Sequence, residues 1–123
     1  MLLHRYNTGY EDGKYSVPAG HLDGGETVRV AAVREALEEI GVHIDIEDMT
    51  FASVMHRKSD DERIDFFFHI KAWDGEPFNA EPDKCDELRW CEVNALPEEI
   101  IPYVKWVIQN FRKGIVFEEF GWE

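Results

Sequence analysis

The sequence predicts one α+β domain in which a mixed, twisted β-sheet lies between two helices. Three patterns lead to this fold class. Helical periodicity runs from Val28 to Ile40 and again from Pro97 to about Lys113, while β-forming residues fill the near-continuous apolar run from Ile64 to Trp73. The 123 residues, 44% of them hydrophobic, suffice for one compact core. We therefore expect residues 1–123 to form a single domain.

The strands are predicted from short apolar runs between turn-rich or charged segments. In chain order they are a strand ending in Met1–Arg5, a strand–turn–strand within His43–His56, and the strands Ile64–Trp73 and Cys85–Val93. Residues 57–63 form the tip of a charged hairpin between the second and third of these regions. We expect Ile64–Trp73 to be a central strand, because a continuous apolar run is typical of a strand that is covered on both faces.

The first helix has clear signals at both ends. Thr27 is a typical N-cap and Gly41 a typical C-terminal stop. At about 100° per residue, one side of the helix is apolar and is expected to face the core. This predicted core stripe consists of Val30, Val33, Leu37 and Ile40.

The opposite side of this helix carries three carboxylates near its C-terminal end, Glu35, Glu38 and Glu39. Like charges at these spacings destabilise a helix by a few tenths of a kcal/mol per pair, and anions near the C-terminus cost roughly 0.3–1 kcal/mol each. Arg34 offsets only part of this cost. A solvated acidic face is one interpretation. The other is half of a metal site, because Mg²⁺ or Mn²⁺ bound by carboxylates would reverse the sign of these energies.

A glycine-rich loop precedes the helix. Gly20, Gly24 and Gly25 allow backbone groups to approach a ligand closely, so the loop can supply main-chain ligands. No Lys-Ser or Lys-Thr pair follows, so the loop does not have the pattern of a nucleotide-binding P-loop.

Residues 20–42 resemble the Nudix box, G-x5-E-x7-R-E-U-x-E-E-x-G-U, in which U is a bulky aliphatic residue. The pattern is met by Gly20, Glu26, Arg34, Glu35, Glu38, Glu39, Gly41 and Val42. Ala36 replaces the usual bulky residue, and Ala19 stands where many members have a second glycine. Neither departure removes a candidate metal ligand. Outside the box the likeness is looser, but it includes the segments 15–20 and 88–91.

The resemblance implies an αβα sandwich and hydrolysis of a nucleoside diphosphate linked to another group, by water attack at phosphorus with Mg²⁺ or Mn²⁺. By matching position, Glu38 and Glu39 are implied metal ligands, and Glu35 is either a ligand or the catalytic base. The carbonyl of Gly20 is a further implied ligand. Arg34 is implied to orient the catalytic acids through charge-assisted hydrogen bonds.

Two further acids are assigned less directly. Glu26 is expected to fix the loop against the helix. An acid outside the box often completes such sites, and Glu87, next to Asp86, is the candidate because it precedes the Leu-x-Trp segment. A role as an ordinary surface acid is the alternative for Glu87.

Substrate contacts are expected outside the box. Residues that could meet a phosphate or stack on a base are Arg5, Tyr10 and Tyr15. Residues that could form a pocket wall are Phe66, Phe68 and Trp90. Core packing is the alternative for each aromatic side chain.

The favoured substrate is a nucleoside or deoxynucleoside triphosphate, cleaved to monophosphate and pyrophosphate, because the domain shows no extension for a large second substrate half. ADP-ribose or another nucleotide sugar is the enzymatic alternative. A noncatalytic nucleotide-sensing module is the alternative of another class. Metal-dependent product release from a substrate panel separates these possibilities, because the fold does not name the substrate.

Charge and composition restrict the partners. The formal net charge of −13 disfavours long nucleic acid, since binding a polyanion needs a basic surface, whereas small phosphorylated substrates remain compatible because a metal can carry their charge. The chain has neither a run of about 18 apolar residues nor an export signal. We expect no membrane partner and a cytoplasmic location.

The start of the chain leads to one expectation about assembly. Nudix proteins usually carry a further strand before the segment that corresponds to Leu2-Leu3. Either the start is truncated, or another element covers that sheet position, perhaps one from a partner subunit. An uncovered strand edge favours self-association, so we expect a homodimer.

Overall fold

The computed structural model describes residues 1–19, 22 and 24–122. Its elements are β1 (Leu2–Arg5), β2 (Tyr15–Ser16), α1 (Val28–Ile40), a 3₁₀ helix (Ile46–Asp48), β3 (Met49–Lys58), β4 (Glu62–Ile70), β5 (Cys85–Arg89), α2 (Pro102–Phe111) and β6 (Phe117–Phe120). The predicted carbonyl ligand Gly20 lies outside the described residues. Neither described helix is both long and apolar enough to cross a membrane.

The described strands form two three-stranded sheets instead of one continuous sheet. The first sheet has the order β2-β1-β5 and is antiparallel throughout. The second has the order β4-β3-β6, with an antiparallel β3–β4 hairpin and a parallel β3–β6 pair. The second sheet is therefore the mixed one, and the α+β class is confirmed.

Helix α1 has the predicted bounds and caps. The Thr27 hydroxyl accepts a hydrogen bond from the Val30 amide at 3.2 Å, and the Gly41 amide donates to the Leu37 carbonyl at 3.1 Å. Gly41 has φ of 69°, a conformation that side chains disfavour. The Phe78 ring also occupies the space that a Cβ at Gly41 would need. Glycine is required here for two independent reasons.

The predicted core stripe of α1 is wrong at two positions. Val30 and Leu37 are 41% and 48% exposed, whereas the buried residues of the helix are Ala31, Ala36 and Ile40. Ala36 and Ile40 pack with Leu3, Val42 and Cys85 against the first sheet. Small alanines let the helix lie close to the strands, so volume decides the buried face more than hydrophobicity does.

Helix α2 begins at Pro102 and not at Pro97. The segment before it is held in extended form by the backbone of Tyr15, whose amide donates to the Glu99 carbonyl at 2.9 Å and whose carbonyl accepts from the Ile101 amide at 3.0 Å. Pro102 then starts the helix, where its missing amide costs nothing. The buried cluster beneath α2 comprises Leu2, Tyr15, Ile100, Ile101 and Val104.

The prediction that Ile64–Trp73 is a central strand is wrong. Among the described strands β3 is the centre of its sheet and β4 pairs only with β3, and Ile64 and Phe66 on β4 are 62% and 46% exposed. The far side of β3 is covered over Val54–Arg57 by β6, a strand that the sequence did not predict. An apolar run in β4 thus lies at a sheet edge, where its face is open.

Candidate active site

Arg34 on α1 holds three carboxylates in one network. Its Nη2 and Nε atoms donate to the two carboxylate oxygens of Glu26 at 2.7 and 3.2 Å. Its Nη1 atom donates to Glu35 at 2.8 Å and to Glu38 at 3.4 Å. The forked pair with Glu26 fastens the glycine-rich loop to the helix. This is the arrangement expected for Arg34 and Glu26.

Glu39 has a strongly perturbed carboxyl group. Burial, followed by the negative charges of Glu35 and Glu81, raises the pKa of Glu39 to about 8. The amide of Ala19 hydrogen-bonds to this carboxyl, but its Oε2 atom is buried with no hydrogen-bond partner among the described residues. A buried oxygen of this kind needs a partner, and a bound cation would supply one while favouring the ionised form.

This donor set fits a divalent cation, because carboxylate oxygens are the ligands that Mg²⁺ and Mn²⁺ prefer. Within residues 1–19, 22 and 24–122, however, no three acidic, imidazole or thiol groups are gathered closely enough to hold a metal ion. Glu35 is bonded to Arg34, and the Glu38 side chain is 52% exposed. Coordination by all three acids therefore requires their side chains to turn toward Glu39.

The segment 78–81 closes the C-terminal end of α1. The Phe78 amide donates to the Ile40 carbonyl at 3.0 Å, and the Ala80 amide donates to the Glu39 carbonyl at 3.1 Å. These amides donate to carbonyls that have no hydrogen-bond partner within the helix. They thereby reduce the partial negative charge at the C-terminal end of α1, close to the acids. The same segment brings Glu81 into electrostatic contact with Glu39.

Glu81 was missed by sequence reasoning, which selected Glu87 as the acid outside the box. The contact recorded for Glu87 is with Tyr15, whose hydroxyl donates to its carboxylate across the first sheet. Glu81 is the acid outside α1 whose charge acts on Glu39. No short-range pattern identifies it, because it lies 42 residues further along the chain.

Two of the predicted substrate contacts lie together beside the acids. Arg5 donates to the Tyr10 carbonyl at 2.6 Å and to the Thr8 hydroxyl at 2.9 Å, and its guanidinium lies 5.2 Å from the centre of the Tyr10 ring. The positive charge of Arg5 also acts on Glu39, lowering its pKa against the larger effect of burial. Arg5 and Tyr10 therefore lie together, and their role in substrate binding stays a prediction.

The other predicted contacts do not join this group. Tyr15 is only 8% exposed and belongs to the core under α2. Phe68 lies under the guanidinium of Arg29 at 5.0 Å, and Trp90 stacks on Trp73 with ring centres 5.9 Å apart. Phe66 is exposed on the open face of β4.

Comparison with known proteins agrees with the fold and the helix motif. A family model described as the NUDIX domain matches residues 1–111, so the chain belongs to the NUDIX domain family. It is 31% identical over 100 residues to a putative 8-oxo-dGTP diphosphatase of Bacillus subtilis, a match that covers 81% of this chain but only 64% of that protein. It is 28% identical to an RNA pyrophosphohydrolase of Erythrobacter litoralis, over 84% of this chain and 76% of that one.

Solved structures show the same fold. A MutT NUDIX hydrolase from Burkholderia pseudomallei superposes with a TM-score of 0.81 at 25% identity, covering 88% of this chain and 84% of the other. A NUDIX hydrolase from Nitrosomonas europaea superposes with a TM-score of 0.72 at 20% identity, covering 97% and 69%, a likeness in fold alone. The resemblance to Nudix proteins is thus confirmed. Nudix hydrolases generally use divalent metal ions.

Proposed function

We propose that this chain is a metal-dependent pyrophosphohydrolase that cleaves a nucleoside or deoxynucleoside triphosphate to a monophosphate and pyrophosphate. One observation carries the proposal. The Glu39 carboxylate is buried beside the charges of Glu35 and Glu81, and one of its oxygens has no partner among the described residues. The ionised form of such a group is costly in a folded protein unless a cation binds there.

Glu38 and Glu39 would hold Mg²⁺ or Mn²⁺, and Gly20 remains a proposed main-chain ligand. The bound ion would neutralise phosphate oxygens and lower the pKa of an attacking water. Arg34 would direct the Glu35 carboxylate through the hydrogen bond of 2.8 Å between them. Glu35 is the residue we assign to accept the proton of that water, which then attacks phosphorus.

Arg5 is placed to meet the substrate phosphates. Its guanidinium contacts Tyr10, and its positive charge lowers the pKa of Glu39 slightly against the larger effect of burial. A guanidinium matches two phosphate oxygens at once, so Arg5 would orient the triphosphate chain against the acids. The ring of Tyr10, 41% exposed, offers a surface for the sugar or base.

The names of the relatives support a phosphoanhydride substrate, since one is a putative 8-oxo-dGTP diphosphatase and another an RNA pyrophosphohydrolase. A triphosphate end is common to both. The presence of every acid of the box disfavours a noncatalytic sensing role. ADP-ribose and nucleotide sugars remain the alternative substrates.

The test is hydrolysis of a panel containing dGTP, 8-oxo-dGTP, ATP, ADP-ribose and a UDP-sugar, each with Mg²⁺, with Mn²⁺ and with excess chelator. We expect metal-dependent release of pyrophosphate and monophosphate from at least one triphosphate, at a kcat/KM above that for ADP-ribose. Metal-dependent cleavage of ADP-ribose alone would show that the triphosphate assignment is wrong and that ADP-ribose is the substrate. Absence of any metal-dependent cleavage, with the nucleotides still bound, would instead identify a sensing module.

A further inference from the structure

A polar cavity opens beside Tyr10, the residue whose carbonyl accepts a hydrogen bond from Arg5. It has a volume of about 200 Å³ and lies between the loop of residues 10–14, the end of β3 and the start of α2. The polar side chains in its wall that carry this inference are Tyr10, Lys14, Arg57, Lys58, Ser59 and Tyr103. We call this the donor pocket.

The donor pocket gathers basic side chains in a strongly acidic protein. One of them, Arg57, is already paired with Asp65 at 2.7 Å. The chain has 26 acidic and 13 basic residues apart from histidine, yet three cations and one carboxylate, Glu11, line this cavity. Glu11 is paired with Lys14 at 2.6 Å. Among the described residues, the Lys58 side chain has no ion pair. Its ammonium lies 5.9 Å from the centre of the Trp122 ring. The ammonium of Lys58 is thus available to an incoming anion.

The hydroxyl groups of the pocket are also donors. Arg57 donates to the Tyr10 hydroxyl at 3.3 Å, so the proton of that hydroxyl is directed elsewhere. The Arg57 guanidinium lies 4.0 Å from the centre of the Tyr103 ring. Burial raises the pKa of Tyr103 to about 12, so its hydroxyl keeps its proton at neutral pH. With Glu11 paired to Lys14 and Arg57 paired to Asp65, the donors that a ligand can meet in the pocket are the Lys58 ammonium and the hydroxyls of Tyr10 and Tyr103.

Arg5 lies next to both the pocket and the candidate active site. Its Nε atom donates to the carbonyl of Tyr10, a residue of the pocket wall, at 2.6 Å. In the first sheet Arg5 pairs with Cys85, whose amide donates to the Glu81 carbonyl at 3.0 Å. A substrate whose phosphoanhydride lies at the acids would therefore reach the donor pocket by way of Arg5 and Tyr10.

We propose that the donor pocket binds a second phosphate group of the substrate, one esterified to the nucleoside at the end remote from the bond that is cleaved. A phosphate has only acceptors at neutral pH, which matches a wall of cations and hydroxyl donors. A neutral base has both donors and acceptors and would leave Lys58 without a charged partner. This inference rests on the proposed function, because it places the reacting diphosphate at the acids.

The test is calorimetric binding with Mg²⁺ of adenosine 3′,5′-bisphosphate and of adenosine 5′-monophosphate, which have no anhydride bond to be cleaved. For the wild type we expect the bisphosphate to bind at least tenfold more tightly, the effect of about one charge-assisted hydrogen bond. In Lys58→Gln this preference should fall to about threefold or less. Lys113→Gln, an exposed lysine outside the pocket, should keep the full preference.

Tyr103→Phe provides a second, milder change, because it keeps the ring over Arg57 and removes only the hydroxyl. We expect its preference for the bisphosphate to lie between those of the wild type and Lys58→Gln. Equal binding of the two nucleotides by the wild type, no binding of either, or a preference that Lys58→Gln leaves intact would each overturn the proposal. If the protein hydrolyses triphosphates but shows no preference for the bisphosphate, the proposed function stands and the pocket assignment fails. If it prefers the bisphosphate but hydrolyses no triphosphate, the pocket assignment stands and the proposed function fails.

Discussion

Glu39 and Arg57 both carry ionisable groups with atoms removed from water, but their charged surroundings are opposite. Arg57 is 7% exposed and fully engaged, with Asp65 at 2.7 Å, the Tyr10 hydroxyl at 3.3 Å and the Tyr103 ring beneath it. Glu39 has carboxylates as its main charged neighbours and an oxygen without a described partner. A buried charged group that is paired with a counterion has a structural role. A buried ionisable group without a counterion indicates a site where a ligand can bind.

The two groups also differ in how the chain assembles them. Glu35, Glu38 and Glu39 lie within two turns of one helix, so their proximity follows from helix geometry alone. Arg57 and its neighbours come from β3, β4, the loop after β1 and the start of α2. The acids therefore form a local motif that can be recognised from the sequence alone. The donor pocket, in contrast, is formed only when distant segments pack together in the complete fold.

The largest expected effect is on catalysis at Glu39. Glu39→Gln removes the proposed metal ligand and should lower kcat for the preferred triphosphate by about a hundredfold or more, since charge in the transition state loses its counterion. Steady-state kinetics with saturating Mg²⁺ measure this. Glu92→Gln, an exposed acid in the loop after β5, should retain wild-type turnover. Wild-type kcat in Glu39→Gln would remove Glu39 from the site.

Arg57 should show the reverse pattern, with a loss of stability. Arg57→Met leaves the Asp65 carboxylate without its counterion and should lower the free energy of unfolding by about 3 kcal/mol. Urea unfolding measures the change. Arg63→Met, which breaks an ion pair with Asp61 at the surface of the same hairpin, should have little effect. Similar decreases in the free energy of unfolding in Arg57→Met and Arg63→Met would contradict this, because the buried and the exposed ion pair would then contribute equally to stability.

A smaller effect is expected in the pH dependence of stability without metal. Burial raises the pKa of Glu39 from 4.5 to about 8, so between these values the unfolded chain has released a proton that the folded chain retains. The contribution of Glu39 to stability therefore falls as pH rises through this window. Urea midpoints of wild type and Glu39→Gln, taken across the window, should diverge in favour of the variant as pH rises. A constant difference between them would contradict the raised pKa.

Local signals predicted part of this structure well. Thr27 and Gly41 fixed the ends of α1 because caps act within one turn. The start of α2 was misplaced because Pro97 and Pro102 carry the same local signal, and the backbone of Tyr15 decides between them. The open face of β4 could not be recognised either, because an apolar run does not say which neighbours will cover it.

The residues of the candidate site also fall into those that local sequence predicted and those that it did not. The grouping of the acids of α1 and the pair between Arg34 and Glu38 followed from spacing along one helix, whereas the orienting role of Arg34 was implied by the family resemblance. Glu81 and Arg57 were missed because each reaches its partners only after distant segments pack together. Nothing in the residues beside them in sequence distinguishes them from ordinary surface charges.

The most direct test of the unpaired Glu39 carboxylate is calorimetric titration of Mn²⁺ into the metal-free protein. We expect the wild type to bind Mn²⁺, Glu39→Gln to bind it at least tenfold more weakly, and Glu92→Gln to match the wild type, because only the first variant removes the buried charge. Circular dichroism of each variant verifies that it is folded. Mn²⁺ affinity in folded Glu39→Gln equal to that of the wild type would contradict the assignment of this carboxylate as the metal site.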